Sequence, residues 1–193
     1  MRGIKYDQPP VRRRKASERR DQLAAAGERV IAERGIEGIT HRAIAEEAGV
    51  PLGSTTYYFV DRDDIIEAVL RRSVEGFTEY MGQWAAEHED STLEELVEAM
   101  IDATMGCLGP ERNQSIVEYE VSVAAFRRPE WHALTQRFLD LPIEILAPRH
   151  TDRITAMMAN VMMTGLIFHG LSSETPLERD EVATIMRRIF GLS

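Results

Sequence analysis

Residues 40–59 constrain this chain more tightly than any other stretch. Thr40 stands ahead of a short run that places Ala43, Ile44 and Ala48 on one helical face, and Gly49 stops the run. After Val50, Pro51 opens a second short run that ends at Phe59. Each residue type has a mechanical reason to be where it is. A Thr side chain accepts a hydrogen bond from the free N–H groups of a first helical turn, and Pro suits the start of a helix. Ala45 is small where two helices would cross, Gly49 takes the turn conformation that a side chain resists, and Val50 fills the angle between the helices. With Leu52 and Phe59 turned inward, Ser54, Thr55, Tyr57 and Tyr58 lie along exposed faces, where their hydroxyls can reach base edges and phosphates. The pattern reads as a helix-turn-helix, although a plain helical hairpin can carry Ala, Gly and Val at the same spacings.

The flanks extend a helical reading in both directions. Leu23, Ala26, Val30 and Ile31 recur at helical spacing, and Gly35 sits where a helix over 18–34 would end. Residues 1–16 hold Pro9, Pro10 and a basic run at 12–15 without any apolar pattern, and are expected to form a disordered basic arm. Asp61 with Asp64 caps a long helix running to about residue 84. Further helix starts are legible at Ser91 with Glu94, at Pro129 before Glu130 and Trp131, at Thr151 before Asp152, and at Thr175 with Pro176 and Glu178. No stretch alternates with period two, so strands are not expected. The fold class is all-α: a basic arm at 1–16, a three-helix head at 17–60 that contains the helix-turn-helix, and a larger helical domain at 61–193.

Net charge is −9, which looks wrong for a nucleic-acid binder. The distribution corrects that impression: the first sixty residues carry 11 basic and 8 acidic side chains, the remainder 12 and 24. Eight of the basic ones fall within the first twenty residues. A single cysteine, Cys107, excludes an internal disulfide framework and reads as a buried small hydrophobe. With no apolar signal segment at the N-terminus, the chain is expected in the cytoplasm. Residues 154–173 lack any Asp, Glu, Lys or Arg, but they include Asn160 and His169. They read as an interface helix that is apolar on two sides, and no membrane association is expected.

The N-terminal motif closely resembles the TetR family of bacterial repressors over residues 18–70. The resemblance is carried by Gly35, Thr40, Ile44-Ala45, Gly49-Val50, Gly53, Tyr57-Tyr58-Phe59 and Arg62. It implies that Thr40, His41 and Arg42 approach the DNA backbone. It also implies that Pro51, Leu52, Gly53, Ser54, Thr55, Tyr57 and Tyr58 enter the major groove, with Tyr57 and Arg62 holding phosphates. Tyr58 stands where many members have His, and Arg62 where Lys is usual; both keep a donor. Arg13, Arg14 and Lys15 are expected to reach the minor groove or the backbone, as homeodomain arms do.

Beyond residue 61 the resemblance is architectural and implies a divergent helical body that dimerises through its last two helices and holds an effector. The residues point the same way. Ile154, Met157, Met158, Val161, Gly165 and Phe168 form one stripe, and Val182, Ile185, Met186 and Ile189 another, so two helices from each subunit would build a four-helix interface. Met100, Met105, Tyr119, Val123, Phe126, Trp131, Phe138 and Met162 are the candidate lining of a small-molecule site, with Glu118, Glu120 and His132 as possible polar contacts. Glu118 and Glu120 diverge on a helix and have no His or Cys partner, so no catalytic site, cofactor or metal is expected. The expected function is a ligand-responsive dimeric repressor of a palindromic operator. Two other readings are compatible with the sequence: a helical binding protein or enzyme with a vestigial head, and a regulator that answers to a protein partner.

Overall fold

The computed structural model describes the backbone of residues 11–192 and the side chains of residues 16–148 and 151–192. Among the described residues there are nine α-helices, two 3-10 turns and no strand. The chain divides into two compact units between Arg72 and Ser73.

The first unit contains α1 (Val11–Arg34), a 3-10 turn (Ile36–Gly38), α2 (His41–Ala48), α3 (Leu52–Tyr58) and the first turns of α4 (Arg62–Glu87). Thr40 caps α2 by accepting from the Ala43 N–H at 3.0 Å. Gly49 ends α2 at φ 64°, ψ 37°, and the Val50 N–H returns to the Ala45 carbonyl at 2.9 Å. That left-handed cap is what glycine supplies without a Cβ clash. Asp61 accepts from the Asp64 N–H at 2.9 Å while Asp64 accepts from Val60, a reciprocal cap built entirely from carboxylates. The core joins Leu23, Val30 and Ile31 of α1 to Ile44 of α2, Phe59, and Ile65, Ile66 and Val69 of α4. A Cβ on Gly27 would lie 2.5 Å from Val69 Cγ2, so α1 and α4 approach closely only because residue 27 has none. Arg72 bonds Asp21 at 2.7 Å and Glu28 at 2.8 Å, Arg20 pairs with Asp64, and Arg20 also lies over the Phe59 ring at 5.0 Å.

Two expectations change in this unit. The start of α1 at Val11 makes residues 11–16 helical rather than an arm; residues 1–10 lie outside the described residues. Arg, Lys and Ala propagate a helix well once a neighbouring turn exists, and propagation requires no apolar stripe. The head, expected to close at residue 60, takes in α4 as far as Arg72, because Ile65, Ile66 and Val69 complete its core.

The second unit contains the rest of α4, then α5 (Leu93–Leu108), α6 (Arg112–Ala125), a 3-10 turn (Pro129–Trp131), α7 (His132–His150), α8 (Arg153–Ser172) and α9 (Arg179–Ile189). Its core gathers Leu96, Val97, Met100 and Ile101 of α5, Leu141 and Ile143 of α7, Ala156 and Ala159 of α8, and Val182 and Met186 of α9. The cap of α5 is Thr92 with Glu95, one residue later than the expected Ser91 with Glu94. The two overlapping pairs satisfy the same capping pattern, and only the packing of the helix chooses between them. Asp152 caps α8 through Ile154 and Thr155, and Glu178 with Glu181 caps α9. Pro142 lies inside α7 and removes one helical N–H from a turn that includes Leu139. Asn160 of α8 donates to the Leu139 carbonyl at 3.1 Å, which gives a carbonyl of that disturbed turn a partner.

The two stripes expected to dimerise have different fates. On α9, Val182 and Met186 are 0 % exposed, and Ile185 and Ile189 pack against the same core. That face is therefore spent inside its own subunit and is withdrawn from the interface. An amphipathic period shows that one face is buried, not against which partner. On α8, by contrast, Ile154, Met157, Met158, Val161 and Phe168 are all exposed large apolar side chains.

Candidate nucleic-acid interface and ligand cavity

The surface of α3 follows from its seven residues, too few to bury both faces. Phe59, just past its end, is buried, and Thr55 is 0 % exposed. The Thr55 hydroxyl lies 2.8 Å from the Leu52 carbonyl and 3.3 Å from that of His41, and ties α3 to the start of α2. Thr55 was expected to touch DNA and cannot: it belongs to the joint between the two helices. Leu52, expected to point inward, is 47 % exposed instead. The outward surface consists of Pro51, Leu52, Gly53, Thr56 and Tyr57, with Ser54 and Tyr58 half-buried. Tyr57 is 79 % exposed and meets Tyr58 edge to face at 4.9 Å, a contact that steadies both rings while leaving the hydroxyl of Tyr57 outside.

At the start of α2, Thr40 and Arg42 are exposed and His41 is half-buried, with its Nδ1 buried and lacking a hydrogen-bond partner. Arg62 departs from its expected role. Its Nε donates to the Ile39 carbonyl at 3.2 Å and its Nη2 to Ile36 at 2.7 Å, with Glu37 at 3.3 Å. The guanidinium thus braces the turn ahead of α2 rather than projecting as a free phosphate ligand. Arg13, Arg14 and Lys15 lie in the first turns of α1, and their side chains lie outside the described residues.

The second unit contains a partly open cavity of about 380 Å³ between α4, α5, α6, α7 and α8. Its walls are mostly apolar and rich in aromatic rings, as ligand sites generally are. Of the expected lining, Met100, Tyr119, Val123, Phe126 and Phe138 are present. Three others are not. Trp131 is buried beneath the Arg128 guanidinium, 4.6 Å from its ring, and Met105 borders a smaller recess beside Arg112 and Gly170. Met162 faces outward on α8. Phe77, Tyr80 and Trp84 of α4 also line the cavity and were not among the expected residues, because the cap and length of that helix do not show which face meets a cavity. Glu118 lines the cavity, whereas Glu120 and His132 do not. A signal was available for Glu118: Ser115, Glu118, Tyr119, Ser122, Val123 and Phe126 recur at three- and four-residue steps, which is one helical face.

Tyr119 joins the cavity wall to α8. Its hydroxyl donates to the Thr164 carbonyl at 2.6 Å, and its ring lies 5.9 Å from Phe168. Burial, followed by the neighbouring Cys107 and Glu118, pushes the phenol up to about 12, so it stays a neutral donor. Burial likewise raises the Cys107 thiol, which argues against a reactive thiolate there. Among the described residues no His, Cys, Asp or Glu cluster is arranged to hold a metal ion.

A three-helix head with a short exposed helix after its turn, and a separate helical unit containing an apolar cavity, define the class of helix-turn-helix DNA-binding regulators. Comparison with known proteins fixes the family. Residues 23–69 match the model for bacterial regulatory proteins of the tetR family, and residues 91–192 match the tetracyclin repressor-like C-terminal domain. The structure resembles that of the multidrug binding protein EbrR complexed with ethidium, with 32% identity, coverage of 89% of this chain and 98% of that one, and a TM-score of 0.74. A TetR-family member from Streptomyces coelicolor A3, SCO1917, matches with 32% identity over the same shares and a TM-score of 0.71. The HTH-type transcriptional regulator PksA of Bacillus subtilis (strain 168) is 43% identical over 61 residues, which are 32% of this chain and 30% of that protein. The chain belongs to the TetR family: it is a DNA-binding transcriptional regulator and not an enzyme.

Proposed function

We propose that the protein represses transcription as a cytoplasmic homodimer bound to an inverted-repeat operator, and that a small, largely aromatic molecule entering the cavity releases it. The observation that carries this reading is the cavity itself, a ring-lined space of about 380 Å³ inside a regulator, where a filled core would be expected if only a protein partner were sensed. Two features connect the cavity to DNA binding. Phe77, Tyr80 and Trp84 on its wall belong to α4, whose first turns hold core residues of the head, so one continuous helix is shared by site and reader. The α8 helix lines the cavity with Met163 and Thr164 and presents an apolar stripe on another face. Relatives support the ligand class, since EbrR structures are described with ethidium, proflavin and malachite green.

On the DNA side, Thr40, His41 and Arg42 approach phosphates, Pro51 to Ser54 and Tyr58 face the major groove, and Tyr57 supplies a hydroxyl at its edge. The basic side chains of residues 12–15 add phosphate contacts. The two recognition helices of the dimer fit successive major grooves, about 34–36 Å apart, and a ligand that prefers another spacing shifts the population away from DNA. The test begins with selection of random duplexes on the purified protein, followed by titration of the selected site at two salt concentrations, with and without proflavin. An enriched inverted repeat, steep salt dependence and weakened binding with proflavin are the expected results. Absence of any enriched sequence overturns the operator reading; DNA affinity indifferent to every flat aromatic probe that binds the protein overturns the release mechanism.

A further inference from the structure

We propose that Leu52 selects for thymine in each operator half-site by packing on its C5 methyl group, and that Gly53 beside it keeps clear the space that base pair enters. The inference rests on α3 entering the major groove and adds which base it reads there. Residues 51–58 contain no Arg, Lys, Asn, Gln, Asp or Glu. The side chains that read a purine edge with two hydrogen bonds, Arg or Lys on guanine and Asn or Gln on adenine, are therefore missing from α3, as is a carboxylate to accept from cytosine. What remains is a set of hydroxyls and one aliphatic side chain. Thr55 is spent on the joint with α2, Thr56 donates to the Gly53 carbonyl at 3.3 Å, and the Tyr57 and Tyr58 rings lean on each other. Leu52 is 47 % exposed. The methyl of thymine is the apolar mark on the major-groove edge, so it is the feature that an outward leucine distinguishes.

Two local features suit this pair to the task. The Leu52 carbonyl accepts from the Thr55 hydroxyl at 2.8 Å, and the same hydroxyl lies 3.3 Å from the His41 carbonyl, so the backbone of Leu52 is fixed relative to α2. A contact made from a fixed backbone loses little freedom on binding. Gly53 supplies the second feature. It is exposed within α3 and lacks the positive φ of Gly35, Gly49 and Gly191, and a Cβ there would meet nothing in the protein within 4 Å. Glycine inside a helix is less favourable than alanine, and neither a turn nor a tight packing contact within the chain requires it here. The room it leaves opens outward beside Leu52, on the side that faces the duplex.

The experiment uses the full-length protein and the duplex it enriches from a random pool. Each thymine is replaced in turn by uracil in both half-sites, which removes the methyl and keeps the base pairing, and affinity is read by fluorescence anisotropy. One thymine per half-site is expected to respond, with a loss of about fourfold per methyl and about fifteenfold for the symmetric pair. Leu52→Ala should bind the thymine duplex about as weakly as the wild type binds the uracil one, and should be indifferent to the exchange. Leu52→Met keeps an apolar reach and should keep the response. The salt dependence of Leu52→Ala should match the wild type, because the side chain holds no phosphate. Gly53→Ala should melt no lower than the wild type, yet bind the thymine duplex at least about tenfold more weakly. A half-site with no enriched thymine, a uracil series without effect on the wild type, or an equal uracil loss in Leu52→Ala overturns thymine selection by Leu52, while enrichment of an inverted repeat leaves the operator reading standing. Undiminished binding by Gly53→Ala overturns the role given to Gly53. If no sequence is enriched at all, the operator reading and this one fall together.

Discussion

Thr55 and Tyr57 are two residues apart on one short helix and serve opposite ends. The hydroxyl of Thr55 is buried and bonded to the Leu52 and His41 carbonyls, so it contributes to the joint between α2 and α3. Tyr57 is almost wholly outside, so its side chain contributes little to folding. Thr55→Val keeps the volume and removes the hydroxyl, which should lower stability by about 1–2 kcal/mol, read as an earlier midpoint in urea. Tyr57→Ala should leave that midpoint within about 0.5 kcal/mol yet weaken operator binding about tenfold or more in fluorescence anisotropy. Equal stability losses in the two variants would mean that α3 is not oriented as described. The same contrast separates Arg62 from Arg42: one guanidinium is engaged by backbone carbonyls of a turn, the other lies exposed at the start of α2.

At the scale of elements, the last helix is fastened to α5 by charge as well as by its apolar face. Glu98 accepts from Arg187 at 2.6 Å and Arg179 at 3.0 Å, and Arg179 reaches Asp102 at 2.7 Å. Those bonds, that of Arg187 foremost, hold the Glu98 carboxyl below its ordinary value. A carboxyl lowered by folding contributes stability above its unfolded pKa and loses it as pH falls through the folded one. Melting temperature should therefore drop on acidification below about pH 4.5, and Glu98→Gln should flatten that limb while changing little at pH 7, where an exposed network contributes modestly. An acid limb identical in the variant would place the loss with other carboxyls, such as the capping Glu95 and Asp152. The elements themselves were largely legible, because caps and stops are local chemistry: Thr40, Gly49 and Asp61 each act within four residues of themselves. The cavity was legible only in part. Empty space arises from how helices fail to fill it, and neither the internal Pro142 nor the inward turn of Phe77 and Trp84 announces itself in a periodic pattern. Thr55 was misplaced for a related reason, since a hydroxyl bonded back to its own helix looks the same in sequence as one offered to DNA.

For the molecule as a whole, the unexplained surface is that of α8. This helix is long and apolar enough to cross a bilayer by length and composition, with only 22% of its most apolar window buried. Asn160 is committed to the Leu139 carbonyl of α7, and Ala156, Ala159 and Leu166 are packed in the core, so one face is already spent within the subunit. What stays outside is a stripe from Ile154 to Phe168, a size of apolar patch that soluble proteins normally cover. In the proposed homodimer a second copy would cover it, because twofold symmetry would set the stripe against itself with Gly165 permitting close approach. Val161, 65 % exposed and midway along the stripe, is the position to test. Val161→Glu places a carboxylate in each subunit near the twofold axis, where the two repel and both lose water; each substitution therefore acts twice. Val161 is mostly exposed and belongs to neither the core cluster nor the side chains packed against it, so the helical circular dichroism should persist. Sedimentation should show a single 21.9 kDa chain, and operator affinity should fall about a hundredfold or more, because one recognition helix reaches only a half-site. A variant that sediments as the wild type does would mean that α8 is not the interface. One that sediments as a monomer yet binds the operator undiminished would sever dimerisation from DNA recognition, and the two-groove mechanism would go with it.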